Sequence, residues 1–183
     1  MKEQLQRILK TASKRFSKYG YKKTSIEEIA GDLRMVKSSL YHYFRSKNEL
    51  YFETINYEIN NYIDRLKSEL SSVEKKEEFP SKYFGIKNKF FEEYPLFKEL
   101  FDDWKEEELK LIVNKLAKKI AQKEIEALEE YFENCKMEKR KSKKLAALSY
   151  SLSLWILISL NYNLTGVLEE AILTEILNEH LIY

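Results

Sequence analysis

The sequence predicts an all-α protein, with an N-terminal three-helix domain carrying a helix-turn-helix and a larger helical domain behind it. Three observations carry this. Only 4 Gly and 2 Pro occur in 183 residues, well under average usage, so breakers are scarce. Apolar residues recur at helical spacing through most of the chain, and no alternating strand pattern of any length appears. Hydrophobic content of 44% is ample for a core, so disorder is not the expectation.

The elements follow in order. A first helix is expected over 2–18, where Leu5, Ile8, Leu9, Ala12 and Phe16 form one apolar face. Gly20 ends it by taking the left-handed conformation past a helix terminus. Ser25-Ile26-Glu27-Glu28 is a capping box that opens a second helix. Ile26, Ile29, Ala30 and Leu33 are its buried stripe. The stripe breaks at Arg34-Met35-Val36 and restarts, which leaves room for a short third helix over 37–43. Ser46-Lys47-Asn48-Glu49 is a second capping box. It starts a long fourth helix that turns Leu50, Ile55, Ile59, Ile63 and Leu66 inward and ends near Ser71-Ser72. Further helices are expected at about 80–94, 96–104, 107–135, 142–163 and 167–181. Pro80 and Pro95 stand near helix starts, where proline is tolerated. The charged stretch 136–144 reads as a solvated connection.

The net charge of +2 hides an asymmetry. Residues 1–50 hold 12 Lys/Arg against 5 Asp/Glu, a net of +7, and the remainder holds 20 against 25, a net of −5. Such a division suits nucleic acid meeting only the first quarter of the chain, and equally suits a chance distribution of surface charge. The single Cys135 excludes an intramolecular disulfide and fits a reduced, cytoplasmic setting. No cationic-then-apolar leader opens the sequence. His42 and His180 stand far apart, so no metal site and no cofactor is expected.

Two helices joined by a turn, the second short and polar, place that second helix in a major groove while the first crosses the backbone. Lys37, Ser38, Ser39, Tyr41 and His42 are the expected exposed positions of the reading helix. Lysine donates to guanine O6/N7, and hydroxyls pair with several base edges. Thr24 and Ser25, at one helix start, and Ser46 and Lys47, at another, are candidates for phosphate contact, with the Tyr43 phenol beside them. Leu40 and Phe44 should point inward. On capping and charge alone, an ordinary basic surface over an aromatic core explains the segment as well.

Residues 7–50 resemble the N-terminal domain of the tetracycline-repressor (TetR) family of bacterial regulators. The resemblance is carried by Ile8, Ala12, Phe16, Gly20-Tyr21, Thr24-Ser25-Ile26, Ile29-Ala30, Leu40-Tyr41, Tyr43-Phe44, Ser46-Lys47 and Leu50, in ungapped spacing. It implies a DNA-binding domain over 1–46 and an effector-binding and dimerisation domain over 47–183. Three positions depart from the family pattern. Arg34 stands where the family has a turn glycine, Val36 replaces a Ser or Thr cap, and Ser38 replaces a small Gly or Ala. Arg34 is expected to strain the turn by about 1 kcal/mol. Loss of a side-chain cap at Val36 costs roughly another 1 kcal/mol.

The stretch 145–168 carries no charge, and its length alone would permit a membrane span. Its four serines, two asparagines, threonine and glycine argue against lipid. A helix apolar on most sides is better buried against a second subunit, so a homodimer through helices at about 142–163 and 167–181 is expected, with no membrane association. Such a dimer presents two reading helices to a palindromic double-stranded DNA operator. The aromatic middle segment suggests a pocket for an apolar or aromatic small-molecule effector, with Phe84, Phe91, Tyr94, Phe101, Trp104 and Trp155 as its candidate lining; an ordinary aromatic core accounts for the same residues. No nucleophile–base–acid grouping or Gly-rich phosphate loop appears, so no enzyme is expected. The expectation is a repressor released from DNA by its effector. The competing expectation is a DNA-bound adaptor whose C-terminal domain binds a protein partner.

Overall fold

The computed structural model describes residues 2–97, 107 and 109–161, with side chains as far as residue 154. The described helices are α1 (Lys2–Tyr19), α2 (Ile26–Asp32), α3 (Lys37–Tyr41), α4 (Lys47–Ser71), α5 (Phe79–Asn88), α6 (Phe90–Glu93), α7 (Lys110–Asn134) and α8 (Lys139–Asn161). A 3₁₀ turn at Lys76–Glu78 leads into α5. Among the described residues there is no strand, and the all-α architecture is as the breaker-poor, helically periodic sequence predicts. The expected helices at 96–104 and 167–181 fall largely or wholly outside the described residues.

The chain divides into two compact units. One comprises Met1–Tyr62 with Phe91–Lys118, the other Ile63–Phe90 with Lys119–Tyr183. In the first unit Ile8, Ala12 and Phe16 of α1 are buried with Ile29 of α2, Leu40 of α3 and Leu50 and Tyr51 of α4. The Phe16 ring meets Tyr51 edge-on at 4.9 Å, and Tyr21 lies 5.0 Å from Tyr51. This aromatic knot ties α1 and the loop after it to the start of α4, and so fixes the base from which α2 and α3 project. In the second unit Phe79 is the hub of the described aromatic packing. Its ring stacks on Tyr83 at 5.5 Å and on Tyr131 at 5.0 Å, and meets Phe132 at 4.8 Å.

The turns explain themselves by backbone geometry. Gly20 sits at φ 76° and donates to the Phe16 carbonyl at 2.9 Å, the left-handed end expected of it. Arg34 also sits left-handed, at φ 55°. Met35 N–H bonds to Ala30 O at 2.9 Å and Arg34 N–H to Gly31 O at 3.0 Å, the paired closure of a Schellman motif with arginine in the position glycine favours. A side chain there costs about 1 kcal/mol. The Arg7 guanidinium of α1 donates to the Leu33 carbonyl at 3.3 Å and helps hold this turn. Lys136 closes α7 in the same way, at φ 62°, with Met137 N–H bonded to Phe132 O and Lys136 N–H to Glu133 O.

Three sequence expectations are corrected. The stretch 136–144 is not a solvated connection throughout: α8 begins at Lys139, and Ser142 is fully buried with its hydroxyl on the Glu138 carbonyl. Lysine and arginine are good helix formers, so a charge run does not exclude helix. The helix expected at 80–94 is interrupted at Lys89, between α5 and α6. The third helix ends at Tyr41 rather than Tyr43.

Candidate nucleic-acid interface

The site is built from the N-termini of α2 and α4 and the whole of α3. Ser25 takes an extended conformation and its Oγ accepts the Glu28 amide at 3.2 Å, while the Ser25 amide donates to Glu28 Oε2 at 2.8 Å. The expected capping box is therefore formed. It uses the amides of Ser25 and Glu28, which leaves those of Ile26 and Glu27 as the amides of the first turn that an anion would meet. Arg15 of α1 braces α2 from outside the turn. Its guanidinium makes a two-pronged contact with Asp32, at 2.6 and 3.0 Å, and reaches Glu28 at 3.1 Å. Arg15 holds the Asp32 carboxyl below its ordinary range, and the Ser25 amide does the same for Glu28.

α3 is five residues long, and its N-cap residue, Val36, is 66% exposed and supplies no side-chain cap. Instead the Ser39 amide bonds to the Val36 carbonyl at 2.9 Å, a tighter 3₁₀-type closure. Leu40 and Phe44 are buried, as their positions predict, and pin the helix to the core. Lys37, Ser38, Tyr41 and His42 are exposed, and Ser39 and Tyr43 are half-buried. The Lys37 ammonium is paired with the Glu27 carboxylate of α2 and lies 5.6 Å from the centre of the Tyr41 ring. This pairing was not anticipated, because spacing alone does not show that the turn folds α3 back onto the first turn of α2.

At the start of α4 the Glu49 amide donates to Ser46 Oγ at 3.1 Å. The Glu49 carboxylate takes the Arg45 amide at 2.6 Å, where a standard capping box would use the Ser46 amide. Lys47 extends over the face of Tyr21, 4.0 Å from the ring centre, and the Tyr21 hydroxyl donates to Asn48 Oδ1. The ammonium is thereby aimed along the surface rather than left to roam. Lys22, Lys23, Ser25, Glu27, Tyr41 and Lys47 edge a shallow groove of about 390 Å³. Lys22 and Lys23 were not singled out from sequence; their place beside the Ser25 cap was the signal available.

Thr24 requires a correction. It is 1% exposed, and its hydroxyl donates to the Gly20 carbonyl at 2.8 Å. That proton is committed within the protein, so Thr24 closes the Gly20 turn rather than offering a hydroxyl to a phosphate.

The candidate effector residues lie in different places. Phe84 is buried in the second unit, 5.8 Å from the Tyr83 ring. Phe91 and Tyr94 lie in the first unit, half-buried and buried respectively; Tyr94 meets Tyr62 at 5.7 Å and Phe97 at 6.1 Å. Phe101 and Trp104 lie outside the described residues, as does the Trp155 side chain.

Sequence reasoning also missed a buried polar network in the second unit. Lys87 Nζ donates to both oxygens of Glu124, at 2.9 and 3.0 Å, with the two side chains 3% and 0% exposed. The Tyr83 hydroxyl donates to Glu124 Oε1 at 2.5 Å and lies 2.9 Å from Ser153 Oγ. Burial first, and then the Glu124 charge, raise the Tyr83 hydroxyl well above its ordinary value. The Phe90 ring lies 5.0 Å from the ammonium. Among the described residues no group of three His, Cys, Asp or Glu could hold a metal ion, and no helix is long and apolar enough to cross a membrane.

Residues 8–54 match the family model described as bacterial regulatory proteins, tetR family. Over 80 residues the chain is 35% identical to the uncharacterised HTH-type transcriptional regulator YuxN of Bacillus subtilis (strain 168), a match covering 44% of this chain and 26% of that protein. The chain thus spans about a quarter of the length of the curated relatives it matches. Its fold is similar to that of a TetR-family transcriptional regulator from Mesorhizobium loti MAFF303099, with a TM-score of 0.64 at 16% identity over 98% of this chain and 93% of that one. It is similar too to AibR in complex with isovaleryl coenzyme A and operator DNA, with a TM-score of 0.54 at 21% identity over 93% and 94% of the two chains. With the capped α2, the short exposed α3 and the Lys47-led α4 in place, the matched residues 8–54 are similar to the helix-turn-helix domain of the tetR family of bacterial regulatory proteins, and the chain as a whole shares the fold of such regulators.

Proposed function

We propose that this protein is a homodimeric, DNA-binding transcription regulator, and specifically a repressor that leaves a palindromic operator when a small apolar or aromatic effector binds. One observation carries the reading. A short exposed helix bearing Lys37, Ser38, Tyr41 and His42 stands beside a groove edged by Lys22, Lys23 and Lys47. Groups that suit base edges thus adjoin groups that suit phosphates, which is the division of labour a DNA reader needs.

In this reading residues 1–46 bind DNA and 47–183 bind the effector and the second subunit. Lys37, Ser38, Ser39, Tyr41 and His42 meet base edges. The Ile26 and Glu27 amides that the Ser25 cap leaves open, with Tyr43, Ser46 and Lys47, meet phosphates. The effector binds within the aromatic-rich part of 47–183, and the segments at about 142–163 and 167–181 form the dimer. AibR was solved with both an acyl-coenzyme A and operator DNA, which supports a two-site protein. Effector binding acts by population shift, favouring a dimer whose reading helices no longer match successive major grooves.

The test is operator binding as a function of salt. Lys47→Ala should weaken binding to all sequences about equally and lower the slope of log K against log salt by about 1. His42→Ala should instead alter preference at particular base positions. If neither substitution changes DNA affinity, this face is not the interface.

A further inference from the structure

We propose that Glu27 and Lys37 read one G·C base pair of the operator together, as a single donor–acceptor unit. The inference rests on the DNA-binding reading above and assigns Glu27 a role in specificity. Three features lead to it. The two side chains are in ionic contact across the α2–α3 turn, and both remain about half exposed, 56% for Glu27 and 49% for Lys37. Lys37 is the first residue of the reading helix, the end whose residues reach base edges in a helix-turn-helix. Glu27 lines the groove that Lys22, Lys23 and Lys47 make basic, so its carboxylate faces the ligand side of the domain.

A carboxylate in that place is unfavourable for contact with a phosphate, which carries the same sign of charge. It is favourable against one kind of base edge. In the major groove a G·C pair presents two acceptors, guanine N7 and O6, followed by the cytosine N4 donor. The Lys37 ammonium has three N–H donors, and one is spent on Glu27. The others suit the guanine acceptors. The Glu27 carboxylate has a second oxygen to accept the cytosine N4–H. The pair therefore need not break to read DNA; the contact that joins it sets the spacing of donor and acceptor. The Tyr41 ring beneath the ammonium helps hold that aim. An A·T pair keeps the N7 acceptor but presents the adenine N6 donor in place of guanine O6, and the thymine O4 acceptor and methyl where the carboxylate would sit, so each half of the unit loses a contact there.

The experiment selects binding sites for the full-length protein from a pool of random duplex DNA. Affinities are then measured for the selected site and its single base-pair variants. One G·C position per half-site should emerge at which A·T weakens binding about tenfold or more. Glu27→Ala and Lys37→Ala should each abolish discrimination at that same position, and the double variant should lose no more than either single one. The proposal is overturned if Glu27→Ala leaves that discrimination intact, or if it merely tightens binding to every sequence alike, as relief of phosphate repulsion would. A wild-type protein that binds no member of the pool overturns the DNA-binding reading itself, a different result from selective binding that ignores Glu27.

Discussion

Two Lys–Glu pairs of the same chemistry stand in opposite surroundings in this protein. Lys87 and Glu124 are 3% and 0% exposed, in the second unit, with Tyr83 and Ser153 completing their hydrogen bonds. Lys37 and Glu27 are 49% and 56% exposed, at the outer edge of the first. Burial decides what each pair can do. Removing two ions from water costs several kcal/mol each, and only good geometry with further hydrogen bonds offsets it. Lys87–Glu124 has both, since Glu124 accepts three bonds, so the pair locks α5 against α7. The exposed pair has water for a competitor and holds its partners lightly. It can present the same charges to a ligand without first being released from a core.

The contrast breaks most visibly at Lys87. Lys87→Ala should destabilise the protein by about 3–5 kcal/mol, because Glu124 is left buried without its cation. Urea unfolding measures this. Replacing both ions together, Lys87→Met with Glu124→Leu, should restore most of the loss, since two apolar groups have nothing to pair. A single substitution costing under about 1 kcal/mol would place the pair in water and end the comparison.

A smaller effect sharpens the same point. Tyr83→Phe removes one hydrogen bond to a charged acceptor and little volume, and should cost about 2 kcal/mol. Glu124 keeps both bonds from Lys87 in that variant. A loss as large as that of Lys87→Ala would mean that the Tyr83 hydroxyl, and not the ammonium, sets the stability of the network.

The same two regions show what was readable in advance. Local chemistry was: the Ser25–Glu28 capping box and the Gly20 turn follow from residue type and near neighbours, whereas the strained turn at Arg34 and the uncapped Val36 were legible only as departures from the family pattern that the segment resembles. Long-range pairing was not. Lys87 and Glu124 are 37 residues apart, and on a helical pattern each reads as an ordinary surface charge among many. Ser142 was hidden in the same way by the lysines around it. Thr24 was misjudged for a subtler reason. A threonine before a helix suggests a hydroxyl for solvent or ligand, but the left-handed Gly20 brings its own carbonyl within reach of that hydroxyl. Glu27 was read only as part of a cap, because its partner lies across a turn whose geometry depends on Arg34.

The exposed pair should respond weakly in stability and clearly in titration. Lys37 holds the Glu27 carboxyl below its ordinary value, chiefly by hydrogen bonding, and the backbone at Glu27 adds to the effect; Glu27 in turn raises Lys37. A depressed carboxyl stabilises the fold above its ordinary range and loses that contribution as pH falls through its folded value. A raised lysine contributes below its ordinary range and loses it as pH rises through its folded value. Both groups are therefore charged across the neutral window, and the pair is intact there. Lys37→Met should leave the thermal midpoint at neutral pH unchanged within error, since water replaces the lost partner. In the same variant the Glu27 carboxyl, followed by NMR, should titrate at higher pH than in the wild type but remain below its ordinary value, because the backbone contribution persists. An unchanged Glu27 titration would mean that the pair does not form in solution. It would also remove the geometry from which joint reading of a base pair is inferred, while leaving Lys87–Glu124 untouched.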